Sequence, residues 1–288
     1  MKLIDIVIEV LDARIPVSSR NPNIDEFSKS KERIILLNKI DLADSKKTIE
    51  WKQKLEAQGY HVVLVNASLG DNIKEIISTI KKIGSSIYKD KYENTIKIEP
   101  IYRALIAGIP NVGKSTIINK MAKKNSANVG NKPGVTKKNQ WIRIADNIDL
   151  LDTPGLLWPK FENPSVGINL ALTGNIKQDI LDVEELALSG IKLLLNSEYK
   201  EIFFKKYDII YDKLLEIQKE SEEYEELPIE YIVLEQIGRK RGCLVNGGIV
   251  DYTKAANIFL EDFKSGKIGK ITLEWGVNLW KKKNLLKN

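Results

Sequence analysis

The stretch Gly108-Ile109-Pro110-Asn111-Val112-Gly113-Lys114-Ser115 constrains this chain more than any other. Its GxxxxGKS spacing sits behind a short apolar run, 104–107, and ahead of a helix-period stretch over 114–124. Strand, glycine loop and helix in that order make a phosphate cradle. Glycine lets the backbone curl so that its amides face anionic oxygens, and the helix N-terminus adds its dipole. Lys114 is expected to bridge the β- and γ-phosphates and Ser115 to ligate Mg2+, with Asn111, Val112, Gly113 and Thr116 completing the wrap. A loop of this kind belongs to a parallel α/β sheet, and the first half of the chain supplies one. Apolar runs at 5–11, 33–37, 61–65, 104–107, 141–144 and 148–151 alternate with helical patterns at 47–58, 72–90 and 114–124.

The phosphate loop needs a second carboxylate for Mg2+ at the end of a neighbouring strand. Asp152-Thr153-Pro154-Gly155 follows the run 148–151 and provides it. Asp152 is expected to hold the ion through water, and the Gly155 amide to sense the γ-phosphate. Between the two motifs lies a polar segment, 123–139, read as a moving loop, in which Pro133-Gly134-Val135-Thr136 offers Thr136 as the hydroxyl that closes on Mg2+ in the triphosphate state.

Base recognition is expected earlier in the chain. The run 33–37 ends in Asn38-Lys39-Ile40-Asp41. A carboxylate at Asp41 can accept from both N1–H and the exocyclic amine of guanine, a donor pair that adenine lacks, so the site would reject analogues without it. Lys39 would lay its stem along the base and brace the phosphate loop. Asn66-Ala67-Ser68, after the run 61–65, fits a loop whose backbone meets the guanine O6. GTP and GDP are therefore the expected ligands. The order of these motifs is unusual: the base motif at 38 precedes the phosphate loop at 108, and Asp152 comes last. Reconnecting the strands gives the ordinary guanine-nucleotide sheet with a different chain start, a circular permutation.

After residue 160 strand-like runs stop and helical periods take over at 179–196, 198–218, 228–239 and 252–264. The expected architecture is a circularly permuted P-loop GTPase domain over 1–177, a parallel-rich sheet flanked by helices, followed by a smaller all-α domain over 178–288. The switch after Gly155 then leads straight into the helical domain, so γ-phosphate contacts are expected to bias it. The net charge of +6 favours an anionic partner. Arg239, Lys240 and Arg241 lie in a row, and from Lys264 onward there are seven lysines against one acid, Glu274. One cysteine, Cys243, and one histidine, His61, exclude an intrachain disulfide, a cysteine cage and multi-histidine metal chemistry. No apolar stretch is long enough to span a bilayer. A cytoplasmic protein is expected.

The chain resembles the YlqF-type circularly permuted GTPase family. The resemblance rests on Asp12-Ala13-Arg14-Ile15-Pro16, Asn21-Pro22, the NKID motif at 38–41, GIPNVGKST at 108–116, PGVTK at 133–137 and DTPGLLWPK at 152–160, and on Gly238–Gly242, Asp251, Ala255-Ala256 and 263–269 in the helical part. It implies GTP hydrolysis coupled to late assembly of the large ribosomal subunit, with the helical domain on ribosomal RNA and with no membrane or DNA partner. The basic runs agree physically, because phosphate neutralisation supplies most sequence-independent RNA affinity.

The resemblance also implies a K+ ion held by Asn111 that offsets charge growing between the β- and γ-phosphates. Lys114, Asn111 and Thr136 would then stabilise the transition state. Ras-like enzymes orient water with a glutamine after DxxG. Here that position is Leu156, which cannot hold water, so intrinsic hydrolysis is expected to be slow and to be stimulated by the ribosomal particle. Family members carry an N-terminal Gly-His-Met segment with a proposed catalytic histidine. His61 lies on the guanine side and does not take that role, so the catalytic group is unassigned and comes from an upstream segment or from the particle. The alternative is a nucleotide-gated RNA-binding scaffold with negligible turnover. Arg14 follows a strand end and could reach the nucleotide site or RNA, but a helix-capping or interface role is the favoured expectation.

Overall fold

The computed structural model describes residues 3–28, 30–92, 100–122, 140–153, 163–176, 182–220 and 226–275. Two compact units emerge, one comprising Met1–Phe161 with Glu274–Asn288, the other Glu162–Leu273. The expected boundary at 177 compares with a division at Phe161/Glu162. The difference lies in an unforeseen helix, α5, that packs on the helices following it.

In the first unit, β1 (Ile6–Asp12), β2 (Glu32–Asn38), β3 (His61–Val65), β4 (Tyr102–Ala107), β5 (Gln140–Ala145) and β6 (Ile148–Asp152) form one sheet in the order β3-β2-β1-β4-β6-β5. Every pairing is parallel except β5 with β6. The helices described here are α1 (Asn23–Phe27), α2 (Ser45–Ala57), α3 (Ile73–Tyr92) and α4 (Lys114–Ala122). Strand β1 is buried along its whole length, as an inner parallel strand covered on both faces must be. The strand β4 that feeds the phosphate loop lies between β1 and β6. Hence the C-terminal ends of β1, β2, β3, β4 and β6 deliver Asp12, Asn38, Val65, Ala107 and Asp152 to one edge, the crevice where open α/β sheets bind ligands. The permuted order is thus resolved in space.

Glu9 interrupts the apolar run of β1, yet it is fully buried. Its carboxylate pairs with Arg33 of β2 on the same sheet face, Arg20 stands 4.0 Å away, and Arg33 also bonds Asp25. Burial pushes the Glu9 carboxyl up, and the two guanidinium groups pull it back. A charge buried here is tolerable only because it is paired.

The second unit contains α5 (Pro164–Leu172), α6 (Val183–Leu195), α7 (Lys200–Tyr207), α8 (Tyr211–Glu220), α9 (Ile229–Lys240) and α10 (Tyr252–Lys264). Asn163, Asp182 and Asp251 cap α5, α6 and α10 by accepting backbone N–H groups. Gly190 of α6 lets Leu172 and Phe259 close on the helix; an added Cβ would sit 2.8 Å and 2.9 Å from them. The single helical period over 198–218 is two helices in the structure. Asp208 takes a left-handed φ of 51° and ends α7, and α8 starts anew at Tyr211. The loop 123–139 lies outside the described residues, as do residues 221–225.

Arg33→Met should therefore destabilise the chain by about 3–5 kcal/mol at neutral pH, since it strands Glu9 beneath the sheet. With its native-state pKa raised further, the Glu9 contribution is retained when the carboxyl is protonated and lost as pH rises. The deficit against wild type, read from urea unfolding, should shrink from about pH 7 towards about pH 4.

Candidate nucleotide site

The loop from Gly108 to Gly113 leaves β4 and enters α4 at Lys114. Its curvature is carried by two left-handed residues, Asn111 at φ 53° and Gly113 at φ 105°. Gly113 has a second reason to be glycine: a Cβ there would lie 2.2 Å from the Asn38 side-chain nitrogen. Gly108 is similarly tight, since a Cβ would meet the Val10 carbonyl at 2.8 Å.

Asn38 joins three motifs. It is buried at the end of β2, and its Nδ2 donates to the Val112 carbonyl at 2.8 Å. Its Oδ1 accepts from the Ala67 amide at 3.1 Å. Base motif, phosphate loop and the loop after β3 are thereby one hydrogen-bonded group. The Ala67 N–H, in the 66–68 loop whose backbone is expected to meet guanine O6, is used in this brace. Asn66 turns its Oδ1 to the Leu69 amide and shapes the loop. Ile40 donates its amide to the Val65 carbonyl at 3.4 Å. Lys39 adopts φ 63°, and its ammonium lies 2.9 Å from Asp12. Asp41 follows as a partly exposed carboxylate.

In the sequence Asp12 stands out only as part of the Asp12–Pro16 resemblance, and its role at the site goes unseen there. Fully buried at the end of β1, it accepts from the Arg14 amide and guanidinium as well as from Lys39. Arg14 is buried in that bidentate pair, in line with the local role expected for it. The signal was its position one residue past an apolar run, where a strand's C-terminal end meets the ligand crevice.

On the phosphate side, Lys114 is buried and its ammonium reaches the Gly108 carbonyl at 3.4 Å. Burial lowers its pKa and the charge of Asp152 raises it. Ser115 and Thr116 occupy the first turn of α4. Asp152 ends β6 opposite Ile106 of β4, and the Thr153 hydroxyl donates to the Ile106 carbonyl at 2.9 Å. This hydroxyl bond ties the carboxylate-bearing segment to the phosphate-loop strand. Thr136, Gly155 and Leu156 lie outside the described residues. His61 opens β3 and stands 3.6 Å from Glu32, at the opposite end of that strand from Asn66.

A hydroxyl at Ser115 and a carboxylate at Asp152 are hard oxygen donors, a set that suits Mg2+, which takes few protein ligands and fills its shell with phosphate and water. Among the described residues no cluster of three or more His, Cys, Asp or Glu side chains forms a dedicated metal cage.

Comparison with known proteins agrees with this geometry. Residues 103–232 match the family model described as 50S ribosome-binding GTPase. That match starts at β4 and omits the base motif, as expected when the motif has been moved ahead of the phosphate loop. The ribosome biogenesis GTPase A of Bacillus pumilus is 43% identical over 274 residues, 95% of this chain and 92% of the relative. The chain belongs to the ribosome biogenesis GTPase A family. Two solved structures of its YlqF members share the fold. The GDP-bound form is 29% identical with a TM-score of 0.62, covering 95% of both chains. The GNP-bound form from T. maritima is 28% identical with a TM-score of 0.61, covering 95% of this chain and 94% of that one. Among the described residues no helix is long and apolar enough to cross a membrane.

Gly113→Ala should cost at least ~100-fold in GDP affinity by calorimetry, since it combines left-handed strain with displacement of the Asn38 amide. The nucleotide-free melting temperature should fall as well, because the buried Asn38 amide loses a bond and Ile109 and Val112 of the loop are core residues.

Proposed function

We propose that this chain is a GTP-hydrolysing assembly factor for the large ribosomal subunit, slow in isolation and completed by the particle. The observation that carries the reading is the Asn38 brace, which makes the base motif and the phosphate loop parts of one site. The family assignment gives that site its biological setting: relatives across 95% of the chain are called ribosome biogenesis GTPases.

In this reading Asp41 accepts from N1–H and the exocyclic amine of guanine, and Lys39, held by Asp12, lines the base. Lys114 and the amides of Asn111–Thr116 neutralise the phosphates, and Lys114 meets the charge that develops on the transferring group. Ser115, Asp152 and Thr136 would hold Mg2+, and Asn111 a K+ ion; when bound, the cations offset negative charge on the phosphate oxygens. Gly155 would sense the γ-phosphate. The helical unit, with Arg239, Lys240 and Arg241, would contact ribosomal RNA, and the place of action is the cytoplasm.

Asp41→Asn replaces an acceptor by an amide whose N–H2 opposes the guanine amine and matches a carbonyl at that position. GDP affinity should fall by at least ~100-fold while xanthosine diphosphate gains, as competition binding would show. Phosphate release, measured in potassium and in sodium buffer with and without purified large subunits, tests the reaction itself. Strong stimulation by the subunits is expected. Tight GTP binding without stimulation under any of the four conditions would leave the switchable scaffold as the correct description.

A further inference from the structure

The chain leaves the helical unit at Leu273 and rejoins the nucleotide-binding unit at Glu274. The Glu274 carboxylate is buried against the turn that follows β1. It accepts from the Val17 amide at 2.6 Å, from the Ser18 amide at 3.1 Å to each oxygen, and from the Ser18 hydroxyl. Three donors on one carboxylate are charge-assisted and exclude water from the turn.

The peptide that presents this carboxylate is itself fixed. The Trp51 indole N–H, in the core beneath α2, donates to the Glu274 carbonyl at 2.7 Å. The Lys47 ammonium sits 3.9 Å from the centre of the Trp275 ring, a cation–π contact. Glu274 is thus aimed by its neighbours and has little rotational freedom of its own.

The turn it holds is the one that carries Asp12. The Asp12 amide donates to the Ser19 hydroxyl at 3.0 Å, and that hydroxyl donates to the Ile15 carbonyl at 2.7 Å. The Ala13 amide donates to the Asn38 carbonyl at 2.8 Å, and the Asp12 carboxylate holds Lys39. The tip of the turn therefore belongs to Glu274, and its base to the first two residues of the base motif.

We propose that Glu274 is a positioning residue for the guanine pocket: it fixes the 12–19 turn so that Asp12 presents Lys39 to the base. The proposal rests on the nucleotide-site reading above. It places a determinant of guanine-nucleotide retention at the point where the chain leaves the helical unit, far in sequence from every nucleotide motif.

The test uses the full chain and release of a fluorescent GDP analogue from wild type, Glu274→Ala, Glu274→Gln, Lys39→Ala and the Glu274→Ala/Lys39→Ala pair. Release should quicken about tenfold in Glu274→Ala and about threefold in Glu274→Gln, which keeps the shape and one acceptor but loses the charge. KM for GTP on large subunits should rise in step with kcat unchanged, because the phosphate side is untouched. The double variant should release no faster than Lys39→Ala alone, which is the coupling that a merely structural staple would not show. Release within twofold of wild type in both Glu274 variants, or effects that multiply in the pair, overturn the proposal. Should Glu274→Ala not fold, the isosteric Glu274→Gln decides. A wild-type chain that fails to retain GDP would instead overturn the guanine-site reading.

Discussion

A primary amide carries a donor and an acceptor a few ångströms apart, and the Asn38 side chain uses both. Its donor holds the phosphate loop at Val112, and its acceptor holds the loop after β3 at Ala67. Everything else at the site is arranged around that requirement. Gly113 must lack a Cβ to admit the amide. Parallel pairing of β1 with both β2 and β4 places the base motif one strand away from the phosphate loop. Because the amide is buried, losing either bond would leave a polar group without water, and this makes the geometry stiff rather than merely favourable.

What was legible in the sequence was whatever is encoded within a few neighbouring residues. The phosphate loop, the NKID motif and Asp152 announce themselves through fixed spacing, and the strands through their apolar runs. Asn38, Lys114 and Asp152 stand at the same end of the sheet. The features that escaped are those made by distant partners. Asp12 looks like an ordinary strand end until Lys39 is seen beside it, and Glu274 like a stray acid in a basic tail. Helix α1 is too short for a period to show, and α5 is apolar nearly all round, so it has no polar face to mark it. The break at 208–210, opened by the left-handed Asp208, was hidden because no glycine or proline announces it.

The basic run of the helical unit also looks different in three dimensions. Arg239 pairs with Glu235, Lys240 with Asp208, and Arg241 stands 3.5 Å from Asp262, which also accepts from the Tyr207 hydroxyl. Burial and that acidic partner push the Tyr207 hydroxyl's pKa up. The cations are thus arranged by an acidic layer beneath them. The Lys240–Asp208 pair is exposed on both sides and contributes about 0–1 kcal/mol, so exchanging Asp208 for a phosphate costs the fold little, whereas the buried carboxylates of Glu235 and Asp262 need their cations. A surface can be internally neutralised and still be available to an anion.

The nucleotide-binding unit is discontinuous in sequence, and this has a consequence for how the protein is made. Ser18 and its partner Glu274 are separated by 256 residues. A nascent chain exposes β1, β2 and β3 early, then the phosphate loop, then the whole helical unit, and only afterwards the dipeptide that closes the turn. The most local elements can form during synthesis, whereas this contact must wait until residue 274 has emerged from the ribosome. Closing so long a loop is a slow and entropically costly event unless the intervening residues have already folded. Prior folding of residues 19–161 and of the helical unit, compact between residues 162 and 273, shortens that loop. With Glu274 in the positioning role proposed above, the nascent chain completes the support of its guanine pocket only after the helical unit has been made.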